Sequence, residues 1–156
     1  THRSPMLIQK IQEGQYRFGI CAGKVPRSNS LHSSVVAKEE MVVAHPKQFS
    51  TEPPMRVLCV ENKSGTWPEI EKQIKKSKLD IYQRLESFAT IACLAKSGYK
   101  PAIIPKPLAK SFGFDKSQLK PLSPKCYRHI HLVSQKTFLH HKHFNCLYST
   151  LKRFLK

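Results

Sequence analysis

Two groups of residues have types that chemistry needs, the first at a fitting spacing and the second at irregular spacings that match no zinc-finger pattern. The first lies in Arg56-Val57-Leu58-Cys59-Val60-Glu61-Asn62-Lys63, where an apolar run ends in Glu-x-Lys. Residues two apart on a strand project to the same face, so the Glu61 carboxylate and the Lys63 ammonium can act together. The following loop, Lys63-Ser64-Gly65-Thr66, opens a predicted helix and offers backbone N–H groups to a phosphate, although it lacks a Walker glycine pattern. The second group is C-terminal: five of the eight histidines fall between His129 and His143, flanked by Cys126 and Cys146. Cys126 with His129 or His131, and His140, His141 or His143 with Cys146, supply the ligand types of a tetrahedral Cys2His2 zinc site. Cys126, His131, His141 and Cys146 are the candidate set, and the zinc would be structural, holding together a short basic module. The competing reading is of surface histidines in a basic segment.

The stretch around Glu61 resembles the PD-(D/E)xK nuclease superfamily, in which Glu-x-Lys ends a central strand and is followed by a helix. The resemblance covers roughly residues 40–104. It implies Mg²⁺ held by a preceding acid and by Glu61, with Lys63 helping to activate water and to stabilise the developing phosphorane charge. The family's first acid is Asp, none precedes Asp80 here, and Glu40 takes that place. The implied activity is Mg-dependent phosphodiester cleavage.

The elements that would position these groups follow from patterning. Leu7 to Ile11 and Tyr16 to Cys21, separated by Glu13-Gly14-Gln15, predict a β-hairpin, and the Ser-, Asn-, Gly- and Pro-rich stretch 23–34 a loop. Glu40 to Ala44 and Met55 to Val60 predict strands of one small sheet. Thr66-Trp67-Pro68-Glu69 carries the signature of a capping box with proline in the first turn, so a helix is expected to start there. Trp67, Ile70, Ile74, Leu79, Tyr82, Leu85, Phe88 or Ala89, and Ala92 continue at helical spacing toward Ala95, as one bent helix or two with a recap at Ser77 and Asp80. Gly98 is a C-terminal stop. Pro101, Pro105 and Pro107 favour extended backbone, with Ala102 to Ile104 as one edge strand, and residues 115–125 read as a linker. Phe144, Leu147, Tyr148, Leu151, Phe154 and Leu155 form one face of a basic amphipathic helix docked on the core. The expected fold is α+β: a small N-terminal sheet packed by a central helix or helix pair in residues 1–100, with a basic, proline-interrupted extension over residues 101–156.

The 156 residues carry 27 Lys and Arg against 10 Asp and Glu, a formal charge of +17. From Ser87 onward there are thirteen Lys or Arg and one acid, Asp115, so the charge is concentrated in the back half. Such a balance implies self-repulsion and a polyanionic partner, most simply nucleic acid. Lys96, Lys100, Lys106, Lys110, Lys116, Lys120, Lys125 and Arg128 are the expected phosphate contacts, with Tyr99, Phe112, Phe114 and Tyr127 available to stack on unpaired bases. The expected function is nucleic-acid binding; the enzyme alternative is the metal-dependent nuclease, and the third class is a fragmentary chain with no dedicated activity. Five widely spaced cysteines without a Cys-x-x-Cys pair argue against a secreted disulfide framework and for a reducing, intracellular compartment. The longest apolar stretch, Phe88 to Ala95, is far shorter than the roughly twenty residues a spanning helix needs. The chain opens on Thr1, so an N-terminal segment with its targeting information can have been removed.

Overall fold

A computed structural model describes residues 4–47 and 54–155. In chain order the elements are α1 (Ser4–Gln12), β1 (Phe18–Ala22), β2 (Leu31–Ala44), β3 (Met55–Val60), α2 (Trp67–Ile74), β4 (Leu79–Leu85), α3 (Phe88–Lys96), β5 (Ala102–Pro105), α4 (Lys106–Ser111), β6 (Leu119–Gln135) and α5 (Lys142–Phe154). Short 3₁₀ turns at Lys116–Gln118 and Lys136–Phe138 precede β6 and α5. The strands form a mixed six-stranded sheet in the order β1-β6-β2-β5-β3-β4. The chain divides into two compact units, residues 1–38 with 129–156 and residues 39–128, and it passes between them only within β2 and β6.

In the first unit β1 pairs antiparallel with β6, Phe18 opposite Ser134 and Ala22 opposite Ile130. Successive β6 residues face opposite ways: Val133 packs with Ile8 and Ile11 of α1, while Ile130 and Leu132 pack with Phe144 of α5. A Cβ on Gly19 would come within 2.8 Å of the Leu7 side chain, so a larger residue there would force Leu7 to shift. The expected hairpin is half right. Phe18–Ala22 is a strand, but Leu7, Ile8 and Ile11 recur at helical spacing and form the buried stripe of α1.

In the second unit β3 runs parallel to both β4 and β5, while β5 pairs antiparallel with β2, Met41 opposite Pro105. Val57 to Val60 are all buried, the unbroken apolar run of a parallel strand covered on both faces. Ile70, Ile91, Ala92 and Ala95 from α2 and α3 complete the core with Met41, Leu58 and Ile103. The helix begins at Trp67 as expected, with Pro68 in its first turn, but Thr66 makes no side-chain capping bond. The helical stripe does not continue to Ala95. Leu79 to Leu85 is strand β4, since Leu79 and Ile81 are half-buried while Asp80 and Tyr82 are exposed, a period of two rather than 3.6. The second helix starts instead at Ser87, whose hydroxyl accepts from the N–H groups of Ala89 and Thr90. It ends in a Schellman turn, with Gly98 at φ 95° and the Tyr99 N–H donating to the Leu94 carbonyl.

The expected C-terminal extension is also corrected, because residues 101–156 supply β5, α4, β6 and α5. Two of their prolines stand where no N–H is needed: Pro105 closes β5 and precedes α4, and Pro107 lies in the first turn of α4. Ala102–Pro105 is an interior strand between β2 and β3, and the expected linker is the 3₁₀ turn and the start of β6.

Candidate ligand cavity

The second unit contains a cavity of about 400 Å³ built by four separate segments. Val43 near the end of β2 and His45 just after it contribute, and β3 contributes its first residue, Met55. The turn between α2 and β4 contributes Lys76, Ser77 and Lys78, running into Leu79 at the start of β4; β6 contributes Lys120 to Ser123. The turn is locally fixed: the Ser77 hydroxyl donates to the Ile74 carbonyl at 3.1 Å and the Lys76 N–H to the Gln73 carbonyl at 3.0 Å. Val43, Leu122, Met55 and Leu79 are the apolar residues of the lining, and the exposed Lys76, Lys78 and Lys120 are its charged ones.

His45 is the unusual member. It is 6% exposed, yet neither ring nitrogen has a hydrogen-bond partner among the described residues. Its backbone is held from both sides by Gln118: the His45 N–H donates to the Gln118 carbonyl at 2.8 Å and the Gln118 Nε2 donates to the His45 carbonyl at 2.9 Å. Burial, with the Lys120 charge as a second cause, holds the imidazole below its ordinary titration range. A buried ring that lacks partners is costly in a finished core and useful where a ligand will supply them. A second cavity, of about 420 Å³ at Arg56, Asp80, Ile81 and Tyr82, has no such group among its described residues.

The residues expected from sequence lie elsewhere. Glu61 follows β3, its N–H donating to the Leu85 carbonyl, and Lys63 stands exposed in the next turn. Glu40 is paired with Lys106 at 2.5 Å. Among the described residues no group of three or more His, Cys, Asp or Glu is arranged to hold a metal. Cys126 is buried and its thiol donates to the Glu69 carbonyl at 3.4 Å. Burial, and then the Glu69 charge, push that thiol up to about 11, where it is a poor metal ligand. His131 Nδ1 is hydrogen-bonded with Ser33 Oγ, His141 stacks between Phe138 and His143, and Cys146 is exposed. The expected zinc site is therefore not assembled.

Much of the expected phosphate-binding set is occupied within the fold. Lys96 donates to the Gly113 carbonyl, Lys100 lies over the Tyr82 ring, and Arg128 Nε donates to Glu39 at 2.6 Å with its guanidinium over Phe88. Lys110, Lys116 and Lys125 are exposed, and Lys120 lines the cavity. Sequence reasoning missed His45, which reads as a turn residue ahead of Pro46. No local signal marks it, because its cavity partners are more than thirty residues away apart from Val43 and Met55.

The family model of the LysR substrate binding domain matches residues 1–156. None of the curated proteins matches the sequence. Among solved structures the fold is similar to the reduced regulatory domain of OxyR2 from Vibrio vulnificus, with a TM-score of 0.76 and 17% identity over 97% of this chain and 78% of that one. It is similar to reduced OxyR from Porphyromonas gingivalis, with a TM-score of 0.73 and 16% identity over 97% and 76%. It also resembles the effector binding domain of QuiR in complex with shikimate, with a TM-score of 0.71 and 17% identity over 99% and 78%. The match to a substrate-binding domain overturns the expectation of a nucleic-acid-binding body and that of a nuclease acting through Glu61, Lys63 and Glu40. The +17 charge misled because net charge bears on non-specific attraction and not on fold or site.

Proposed function

Because the chain belongs to the LysR substrate-binding domain family, we propose that it is the effector-sensing part of a transcriptional regulator and that it holds a small-molecule effector in the cavity at His45. The observation that carries this reading is the 6%-exposed imidazole with two unpartnered nitrogens on the wall of a cavity of small-ligand size. Apolar walls with a few polar groups are what a small ligand needs: the walls supply affinity by excluding water, and the polar groups select and orient. QuiR is known in complex with shikimate, a small hydroxylated acid, which sets the scale of ligand to try. Nucleic-acid contact is not assigned to these residues.

The reading is tested by methyl NMR of the 156-residue chain, with the signals of Val43, Met55, Leu79 and Leu122 assigned by substitution. A panel of small carboxylates, phosphates, sulfate and neutral polyols is titrated. At least one compound is expected to shift these methyls together, saturably and at one site, while Ile8 and Ile11 in the other unit stay unmoved. Shifts confined to other residues for every compound would place the ligand elsewhere and sink the assignment.

A further inference from the structure

Two backbone devices in the second unit bring a pair of tyrosines together. In β4 the register against β3 slips by one residue: Ile81 lies opposite Val57 and Gln83 opposite Leu58, so Tyr82 is the extra residue of a bulge, a device that re-aims a side chain. After α3, Gly98 in the left-handed region closes the turn, and the next residue, Tyr99, is held by its N–H on the Leu94 carbonyl at 3.0 Å. The two rings meet edge to face, with centroids 6.0 Å apart and 71° between their planes, and the Tyr99 hydroxyl donates to the Tyr82 hydroxyl at 3.4 Å. The Lys100 ammonium lies 5.1 Å from the centre of the Tyr82 ring and steadies it further.

Both rings stay open to solvent, 43% exposed for Tyr82 and 46% for Tyr99, and Tyr82 borders the cavity of about 420 Å³ with Arg56, Asp80 and Ile81. A small oxidant can therefore reach them, and the rings have room to close on each other. Contact between the hydroxyls brings together the ring carbons ortho to each oxygen, the carbons on which a phenoxyl radical carries its unpaired electron. An oxidised ring here has its reaction partner already in place, which replaces a diffusional encounter by an intramolecular one. We propose that Tyr82 and Tyr99 are an oxidative cross-linking site, at which a peroxide-driven one-electron oxidant joins the two rings as dityrosine. Each phenol gives up one electron and its hydroxyl proton, and the two phenoxyl radicals form one carbon–carbon bond between ortho positions. The hydrogens on those carbons then leave as protons while the oxygens regain theirs from solvent. In all, the pair loses two hydrogen atoms and one hydrogen peroxide becomes two waters. The product ties edge strand β4 to the turn before β5 across 17 positions of chain. It is permanent, whereas the first oxidation steps of the exposed Cys93 and Cys146 can be reversed by thiols.

The test uses the 156-residue chain with its exposed thiols capped by N-ethylmaleimide, kept dilute so that coupling between chains is slow. It is treated with a haem peroxidase and limiting hydrogen peroxide, and the monomeric fraction is digested with trypsin. The cross-link joins residues 79–84, which hold Tyr82, to residues 97–110, which hold Tyr99, because the lysines before Pro101 and Pro107 resist cleavage. Mass spectrometry is expected to find this pair, lighter by two hydrogens than its halves combined, as the main dityrosine of the monomer. Tyr82→Phe and Tyr99→Phe should each lower the monomer's dityrosine fluorescence at least about fivefold, whereas Tyr16→Phe should leave it within about twofold. In urea that unfolds the chain the same product should also fall at least about fivefold, since the bulge and the glycine turn no longer align the rings.

Dityrosine confined to covalent dimers would overturn the inference, as would a monomer product joining other tyrosines or an equal yield of the expected product in urea. Should either phenylalanine variant fail to fold, the peptide map of the unaltered chain, in buffer against urea, decides alone. The cavity at His45 takes no part in this chemistry, so failure here leaves the effector reading as it stands.

Discussion

Replacing Arg128 by methionine tests whether its guanidinium is a surface cation or a strut of the second unit. Arg128 Nε donates to Glu39 Oε2 at 2.6 Å, and the two side chains are 16% and 21% exposed. An exposed ion pair contributes no more than about 1 kcal/mol, whereas breaking a fully buried one costs about 3–5 kcal/mol, because the abandoned partner stays charged and desolvated. With about a fifth of each side chain in water, this pair falls between those limits, at about 2 kcal/mol. Loss of the guanidinium over Phe88, 5.1 Å from the ring centre, adds about 0.5 kcal/mol. Methionine keeps most of the aliphatic stem, so packing loss is small. For a chain of this size the sum of about 2.5 kcal/mol lowers the melting temperature by about 5–10 °C and the urea midpoint by about 1 M. A double-mutant cycle with Glu39→Gln is expected to give a coupling energy of about 1–2 kcal/mol. A urea midpoint within about 0.2 M of the parent, or a coupling near zero, would refute the reasoning and return Arg128 to the solvent-facing set that composition suggests.

Thiol chemistry and acid stability supply two further checks. Burial pushes the Cys59 thiol up to about 12 and those of Cys21 and Cys126 up to about 11, while Cys93 and Cys146 are exposed. Two thiols should therefore react promptly with Ellman's reagent in the folded chain and three only on unfolding, and a third prompt thiol would contradict the packing of the core. His45 has its titration lowered in the folded state, first by burial and then by Lys120, so on acidification the unfolded imidazole takes up a proton before the folded one does. Its contribution to stability is thus present above the ordinary histidine range and is lost as the pH falls below about 6.5. Without added anion, the urea midpoint of the parent should drop more between neutral and mildly acidic pH than that of His45→Gln, and parallel drops would show that other groups carry the slope.

Where structure depends on neighbours along the chain, the sequence is legible. Met55–Val60 is bracketed by Pro54 and by the turn after Glu61, and is a strand with those bounds. Trp67-Pro68 opens a helix, Gly98 closes one in the left-handed region, and the amphipathic face from Phe144 belongs to α5. Each rests on a local rule: proline's fixed φ, glycine's freedom at positive φ, and the 3.6-residue period. Leu79 to Leu85 shows where such rules fail, since its apolar residues fit a helix as well as a strand. The empty place beside β3 decided between them, through parallel pairing of Met55 with Leu79 and Val60 with Leu85.

What the sequence determined by itself, then, is composition and local form: a strongly cationic chain of mixed α and β elements, with several element ends marked by proline and glycine. Only tertiary structure decided which charges face water and which residues meet. Lys106 finds Glu40 across 66 positions and Arg128 finds Glu39 across 89, pairings that no count of charges along the chain reveals. The same long-range pairing brings the end of β2, the start of β3, the turn after α2 and β6 around His45. Its burial without partners is a property of four segments meeting in space, where the energy of an unsatisfied group depends on what surrounds it and not on the residues beside it in the chain.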